Sequence, residues 1–145
     1  MNHKIAEPKT AEDWEMYYEL RWKVLRAPWD QPKGSEKEAS DASAVNLMIL
    51  GEDQRPIAVG RVHLEERGLA QVRFVAVEES MQGKGVGRLL MQELEQRARN
   101  LGASKVFLQS RENALEFYRR LGYTVTEKTA LLFGVIQHYR MEKDL

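Results

Sequence analysis

The segment Gln71–Arg88 constrains this chain more than any other. It reads Gln-Val-Arg-Phe-Val-Ala-Val, then Glu-Glu-Ser-Met, then Gln82-Gly83-Lys84-Gly85-Val86-Gly87-Arg88. An apolar strand runs into a glycine-rich turn, and the turn opens a long amphipathic helix. Such a turn leaves main-chain N–H groups unpaired at the positive end of a helix dipole, which suits a phosphate-bearing ligand. The glycines allow a ligand to approach the backbone closely, and Lys84 and Arg88 add positive charge. A Walker-type loop needs Gly-x-x-x-x-Gly-Lys-Ser/Thr, and no window supplies it. A dinucleotide fingerprint needs Gly-x-Gly-x-x-Gly, whereas the third glycine here comes one residue early. The plain alternative is a β-to-α turn that holds no ligand.

The rest of the chain reads as a regular alternation around that turn. Residues 3–7 form a short strand ended by Pro8. Thr10 and Asp13 have the spacing of a capping box for a helix over Ala11–Arg26. Trp14, Tyr17, Tyr18, Val24 and Leu25 share one stripe of it, and Pro28 and Pro32 stop it. The polar stretch Gly34–Ser43 is a loop or a short helix. Strands are expected over Ala44–Leu50, Ile57–Leu64 and Ala70–Val77, separated by turns and forming antiparallel hairpins. Val86, Leu90, Leu94, Ala98 and Leu101 repeat at helical spacing, so Gly85–Leu101 is a helix. A buried-type strand at Lys105–Gln109, a short helix at Asn113–Leu121 and strands at Tyr123–Lys128 and about His138–Lys143 complete the order. The result is an α/β chain, with helices on a mixed, mostly antiparallel sheet and no linker dividing residues 1–145.

Composition narrows the function. Hydrophobic residues are 43% and charged residues 30%, the balance of a soluble globular domain. Lys+Arg and Asp+Glu are equal at 22 each, which argues against nucleic acid as an obligatory partner. With no cysteine, disulfides, zinc–thiolate sites and a thiol nucleophile are excluded, and the chain suits a reducing cytoplasm. The N-terminal segment lacks the apolar core of a signal peptide, and no apolar run has membrane-spanning length. Neither a metal site nor a membrane contact is expected.

Gln82, Gly85 and Gly87 fit the pattern Gln/Arg-x-x-Gly-x-Gly/Ala. Downstream, Asn113-Ala114-Leu-Glu-Phe117-Tyr118-Arg-Arg-Leu121-Gly122-Tyr123 is similar to Asn-x-x-Ala-x-x-Phe-Tyr-x-x-x-Gly-Phe/Tyr. Together these motifs resemble the GNAT acetyltransferase superfamily, and the element order is similar over nearly the whole chain. One position departs: Arg111 stands where the pattern has its asparagine, and Asn113 directly precedes Ala114.

The resemblance implies a GNAT fold whose fourth and fifth strands diverge like a V around acetyl-CoA. Main-chain groups of Phe74, Val75 and Val77 would pair with the pantetheine arm. The amides of Gln82, Gly83, Lys84, Gly85, Val86, Gly87 and Arg88 would hold the pyrophosphate. Arg111, Asn113 and Phe117 would complete the cofactor site, with Asn113 readable equally as a helix cap. Tyr118 would serve as the acid for the departing thiolate, or be plain core, since it shares a stripe with Ala114 and Leu121.

The general base is not evident. Glu65 lies at the end of the third strand, where it is either the base or part of a solvated turn. His138 is a second candidate, structural or catalytic, and His63 shares a strand with Arg61. Arg21 interrupts the apolar stripe of the first helix, either as an internal ion pair or as a substrate contact. Trp29 either covers the core or shapes substrate entry. The implied activity is transfer of acetyl from acetyl-CoA to a primary amine of a small molecule or peptide, directly, with both substrates bound. The alternative is a module of the same fold that binds acyl-CoA or a partner without turnover. Whether the chain forms a homodimer is left open.

Overall fold

Residues 3–145 are described by the computed structural model; the first two residues of the N-terminal segment lie outside them. The elements run β1 (Lys4–Ala6), α1 (Ala11–Leu25), β2 (Val45–Leu50), β3 (Pro56–Glu66), β4 (Leu69–Val77), α2 (Val86–Asn100), β5 (Lys105–Arg111), α3 (Leu115–Arg120), β6 (Thr124–Leu132) and β7 (Ile136–Asp144). Short 3-10 turns stand at Ala27–Trp29, Ala39–Ser43, Glu79–Met81 and Glu112–Ala114. One sheet of seven strands has the order β1-β2-β3-β4-β5-β7-β6. Every neighbouring pair is antiparallel except β4 and β5, which are parallel.

The period of two along β2 divides the core between the sheet's two faces. Leu47 and Ile49 join the cluster under α2, with Leu90, Met91 and Leu94. Met48 and Leu50 join Tyr17 and Leu20 of α1 on the other face. Helix α1 begins with the expected capping box: the Thr10 hydroxyl accepts from the Asp13 amide, and the Asp13 carboxylate accepts from the Thr10 amide. Helix α2 packs so closely on β3 that a Cβ at Gly60 would lie 2.9 Å from Leu94 Cδ1. Leu101, expected on the buried stripe, lies past the end of α2 and is exposed.

Two features of β4 open the sheet. Its parallel pairing with β5 covers only Leu69–Lys105, Ala70–Val106 and Gln71–Phe107, so beyond this point the strands part. Its pairing with β3 slips between Val59 and Arg61, where Gly60 alone stands opposite Phe74 and Val75 of β4. This is a β-bulge, and it places Phe74 at a φ of 57°. The final strands also reach further than the sequence reading expected. β6 continues to Leu132 and β7 starts at Ile136, joined by a turn in which Phe133 and Gly134 both have positive φ.

Candidate active site at the β4–β5 opening

Two cavities lie where β4 and β5 part. The first, a groove of about 560 Å³, is bounded by the end of β4, the glycine turn and α3. The second, a cleft of about 340 Å³, is bounded by β4, β5, the end of α1 and the β6–β7 hairpin. Val75, Arg111, Ala114 and Tyr118 line both, so the two spaces meet at these four residues.

Gly83, Gly85 and Gly87 expose main chain to the groove. Gly83 and Gly85 have φ of 77° and 83°, and a Cβ at either would face open space. Their glycine identity therefore serves the backbone conformation and the access it gives. Gly87 is different: a Cβ there would come within 3.1 Å of the Phe117 ring. Gly85 caps α2 in the left-handed conformation. The amides of residues 83–88 donate to no protein acceptor among the described residues. Gln82 ties the turn to the strand, its Nε2 donating to the Val77 carbonyl at 3.1 Å. Unpaired amides at the start of a fifteen-residue helix, with Arg88 at the rim, form a cradle that fits a diphosphate.

The expected cofactor residues divide as follows. Val75, Val77, Gln82, Gly83, Gly85, Gly87, Arg88, Arg111, Asn113 and Phe117 line the groove. Lys84 is exposed and Val86 is buried in the core, so neither side chain lines it. Phe74 lines the cleft instead, because the bulge reverses its direction. Asn113 makes no capping bond; it sits in the 3-10 turn, and α3 starts two residues later with Ala114 in the cap position. The helix-cap reading of Asn113 is therefore corrected. Val24 and Arg120 also line the groove and were not anticipated; Val24 is brought there from α1, remote in the chain, and Arg120 ends the helix that carries Phe117 and Tyr118.

Tyr118 is buried, and its hydroxyl has no hydrogen-bond partner among the described residues. Burial pushes the phenol up to about 12, while the nearby Arg111 charge pulls the other way. Near neutral pH it is therefore a proton-bearing donor aimed where the two cavities join. His138 lines the cleft, and its Nδ1 lies 3.0 Å from the Ile136 carbonyl. A carbonyl only accepts, so Nδ1 donates, and in the neutral ring Nε2 is then the nitrogen without a hydrogen. Trp29 lines the same cleft, with the Arg111 guanidinium 5.4 Å from its ring centre.

Glu65 lines neither cavity; it is exposed at the far end of β3, 3.0 Å from His63 Nε2. Arg21 has no exposed surface, which withdraws it from contact with a substrate. It is the internal ion pair: Nη1 donates to Asp41 Oδ2 at 2.9 Å and Nη2 to the Tyr17 hydroxyl at 2.9 Å. Asp41 also accepts from Arg61 at 2.7 Å and from the Tyr18 hydroxyl at 2.9 Å. Burial opposes the charge on Asp41, but the Glu38 amide and the Arg61 and Arg21 guanidinia prevail and lower its pKa. Glu38 extends the network to Arg73 at 2.8 Å. These bonds fasten the loop after α1 to β3 and β4, and so fix one wall of the cleft. No sequence pattern marked Glu38 or Asp41, since their partners lie far away in the chain.

An open V between parallel strands, a glycine cradle at a helix start and a buried tyrosine at the junction define an acyl-CoA-dependent acyltransferase fold. The chain belongs to the Acetyltransferase (GNAT) family, whose model matches residues 14–123. It is 26% identical over 141 residues to the uncharacterized N-acetyltransferase YjcF of Bacillus subtilis, covering 97% of this chain and 99% of that one. An acyl-CoA N-acyltransferase from Pseudomonas aeruginosa shares the fold with a TM-score of 0.80 at 21% identity, over 98% of both chains. A GNAT family acetyltransferase from Elizabethkingia anophelis, solved with acetyl-CoA bound, aligns with a TM-score of 0.76 at 16% identity, over 99% of both. Family membership supports acyl transfer from an acyl-CoA to an amine. No helix among the described residues is long and apolar enough to cross a membrane.

Proposed function

We propose that this protein is an acetyl-CoA-dependent N-acetyltransferase acting on a primary amine of a small molecule or peptide, by direct transfer with both substrates bound. The observation that carries this reading is the meeting of groove and cleft at Val75, Arg111, Ala114 and Tyr118. A thioester lying in the groove and an amine in the cleft would come together at that point, and binding both there lowers the entropic barrier.

The amine attacks the thioester carbon, forming the C–N bond as the C–S bond breaks. Main-chain N–H groups of the splayed part of β4, which has no β5 partner beyond Gln71, can receive the negative charge growing on the carbonyl oxygen. Tyr118 donates a hydrogen bond to the departing sulfur. Full proton transfer from a phenol near 12 to a thiolate of ordinary basicity would be uphill by ~5 kcal/mol. Stabilisation by a hydrogen bond is thus the role its burial supports. We assign the proton that the amine loses to His138, which lines the cleft.

The test is thiol release with a panel of amines, for the parent and Tyr118→Phe, beside a CoA titration. Tyr118→Phe is expected to lower kcat about 100-fold while CoA affinity changes less than about twofold. Unchanged turnover in the variant would remove Tyr118 from the mechanism. CoA binding with no turnover across the panel would identify a binding module instead.

A further inference from the structure

Seven arginines are buried or half-buried: Arg21, Arg26, Arg61, Arg73, Arg97, Arg111 and Arg140. Five of them have a carboxylate within 4.0 Å: Arg21, Arg61, Arg73, Arg97 and Arg140. The remaining two, Arg26 and Arg111, both line the cleft. Arg26 donates to the Leu25 and Ser35 carbonyls, and Glu36 and Glu38 offset its charge only from a distance. The Arg111 guanidinium has no hydrogen-bond or ion-pair partner among the described residues, and burial lowers its pKa. Its guanidinium lies 5.4 Å from the ring centre of Trp29, which lines the cleft and not the groove, so its charge is within reach of the acceptor side of the junction. No Asp or Glu lines the cleft, although the whole chain carries equal numbers of acidic and basic residues.

A half-buried guanidinium without a counter-ion carries a desolvation cost that a bound anion would offset. Guanidinium is also suited to carboxylate and phosphate, through its fork of donors. We infer that the acceptor is a small amine that also bears an anionic group, a carboxylate or a phosphate, held by Arg111 with Arg26 assisting. The inference rests on the acetyl-transfer reading and deepens it by naming the acceptor class. It also bears on the general base. Cations beside the site disfavour the ammonium form of the substrate, so the neutral nucleophile is more accessible there than in water. Polyamines are disfavoured for the same reason.

The experiment compares matched acceptors that differ only in the anion: phenylalanine with phenethylamine, and phosphoethanolamine with ethanolamine, with spermidine as the cationic control. Transfer is read as kcat/KM, and binding to the CoA-loaded protein is followed by calorimetry. At least one member bearing the anion is expected to exceed its partner lacking it by about 10- to 100-fold, the scale of a charge-assisted hydrogen bond. The carboxylate pair and the phosphate pair tell the two anions apart. Arg111→Met should collapse that ratio and Arg111→Lys should restore part of it; a role confined to CoA would leave the ratio unchanged. Partners lacking the anion, or spermidine, binding as well as the anion-bearing amines would overturn the inference. Binding preference without any turnover would sustain the inference and sink the acetyl-transfer reading, so the two failures are distinct.

Discussion

The groove and the cleft meet at one point but are built in opposite ways. Apart from Val24, the groove draws on short stretches of chain around residues 75–88 and 111–121, and its unpaired main-chain amides are set by local φ angles. The cleft draws on the end of α1, β4, β5 and the β6–β7 hairpin, and its character comes from side chains. Backbone geometry of this kind follows from neighbouring residues, whereas the cleft depends on what long-range folding brings together.

This contrast can be broken or sharpened by substitution. The largest effect is expected at Asp41, whose side chain is only 2% exposed and serves Arg21 and Arg61 together. Asp41→Ala leaves two buried cations short of a counter-ion and should cost about 3–5 kcal/mol in urea melts. In the fraction that folds, amine KM should rise more than the CoA dissociation constant, since the cleft wall is what loosens. The same residue sets a pH dependence. Its folded pKa lies below the ordinary 3.8, so its stabilisation is present above that value and is lost as pH falls through the folded value. Melts of the parent from pH 5 to pH 3 should steepen relative to Asp41→Asn, and parallel curves would refute the assignment.

Next comes Gly85→Glu, which forces a side chain into a left-handed conformation at φ 83° and sets a carboxylate near the expected phosphate. CoA affinity should weaken about 100-fold by calorimetry. Gly85→Ala, which incurs only the backbone strain of about 1–2 kcal/mol, should weaken it much less. A CoA titration of Gly85→Glu that matches the parent would place the phosphate elsewhere. His138→Gln should lower kcat/KM about 10-fold and leave CoA binding as it was. Unchanged turnover in that variant would exclude the imidazole as the proton acceptor. The smallest effect is expected at Gly60→Ala, where a new Cβ meets the movable tips of Leu94 and Leu90 at 2.9 and 3.2 Å. It should cost about 1 kcal/mol of stability and leave both affinities alone.

The stretch from β4 to α2 shows what is legible without coordinates. Apolar alternation, glycines at two-residue spacing and a helical repeat lie within a few turns of one another, so each is constrained by near neighbours. The short helix carrying Phe117 and Tyr118 was legible for the same reason, though its start was displaced because Asn113 gave no cap. The β6–β7 hairpin was underestimated. Its apolar run Ala-Leu-Leu-Phe-Gly-Val-Ile had the composition of two strands and a turn, and that signal could have extended both. Nothing local could show that Glu65 would face away from both cavities, or that Arg21 would find Asp41 twenty residues on.

The sequence by itself determined the order of elements, the glycine cradle at residues 82–88 and the family, because these depend on propensities and dihedral freedom within a few residues. Only the tertiary structure decided which arginines are neutralised and which face an acid-free cleft. Charge pairing depends on distances between remote segments, and a net charge of zero conceals how those charges are sorted in space.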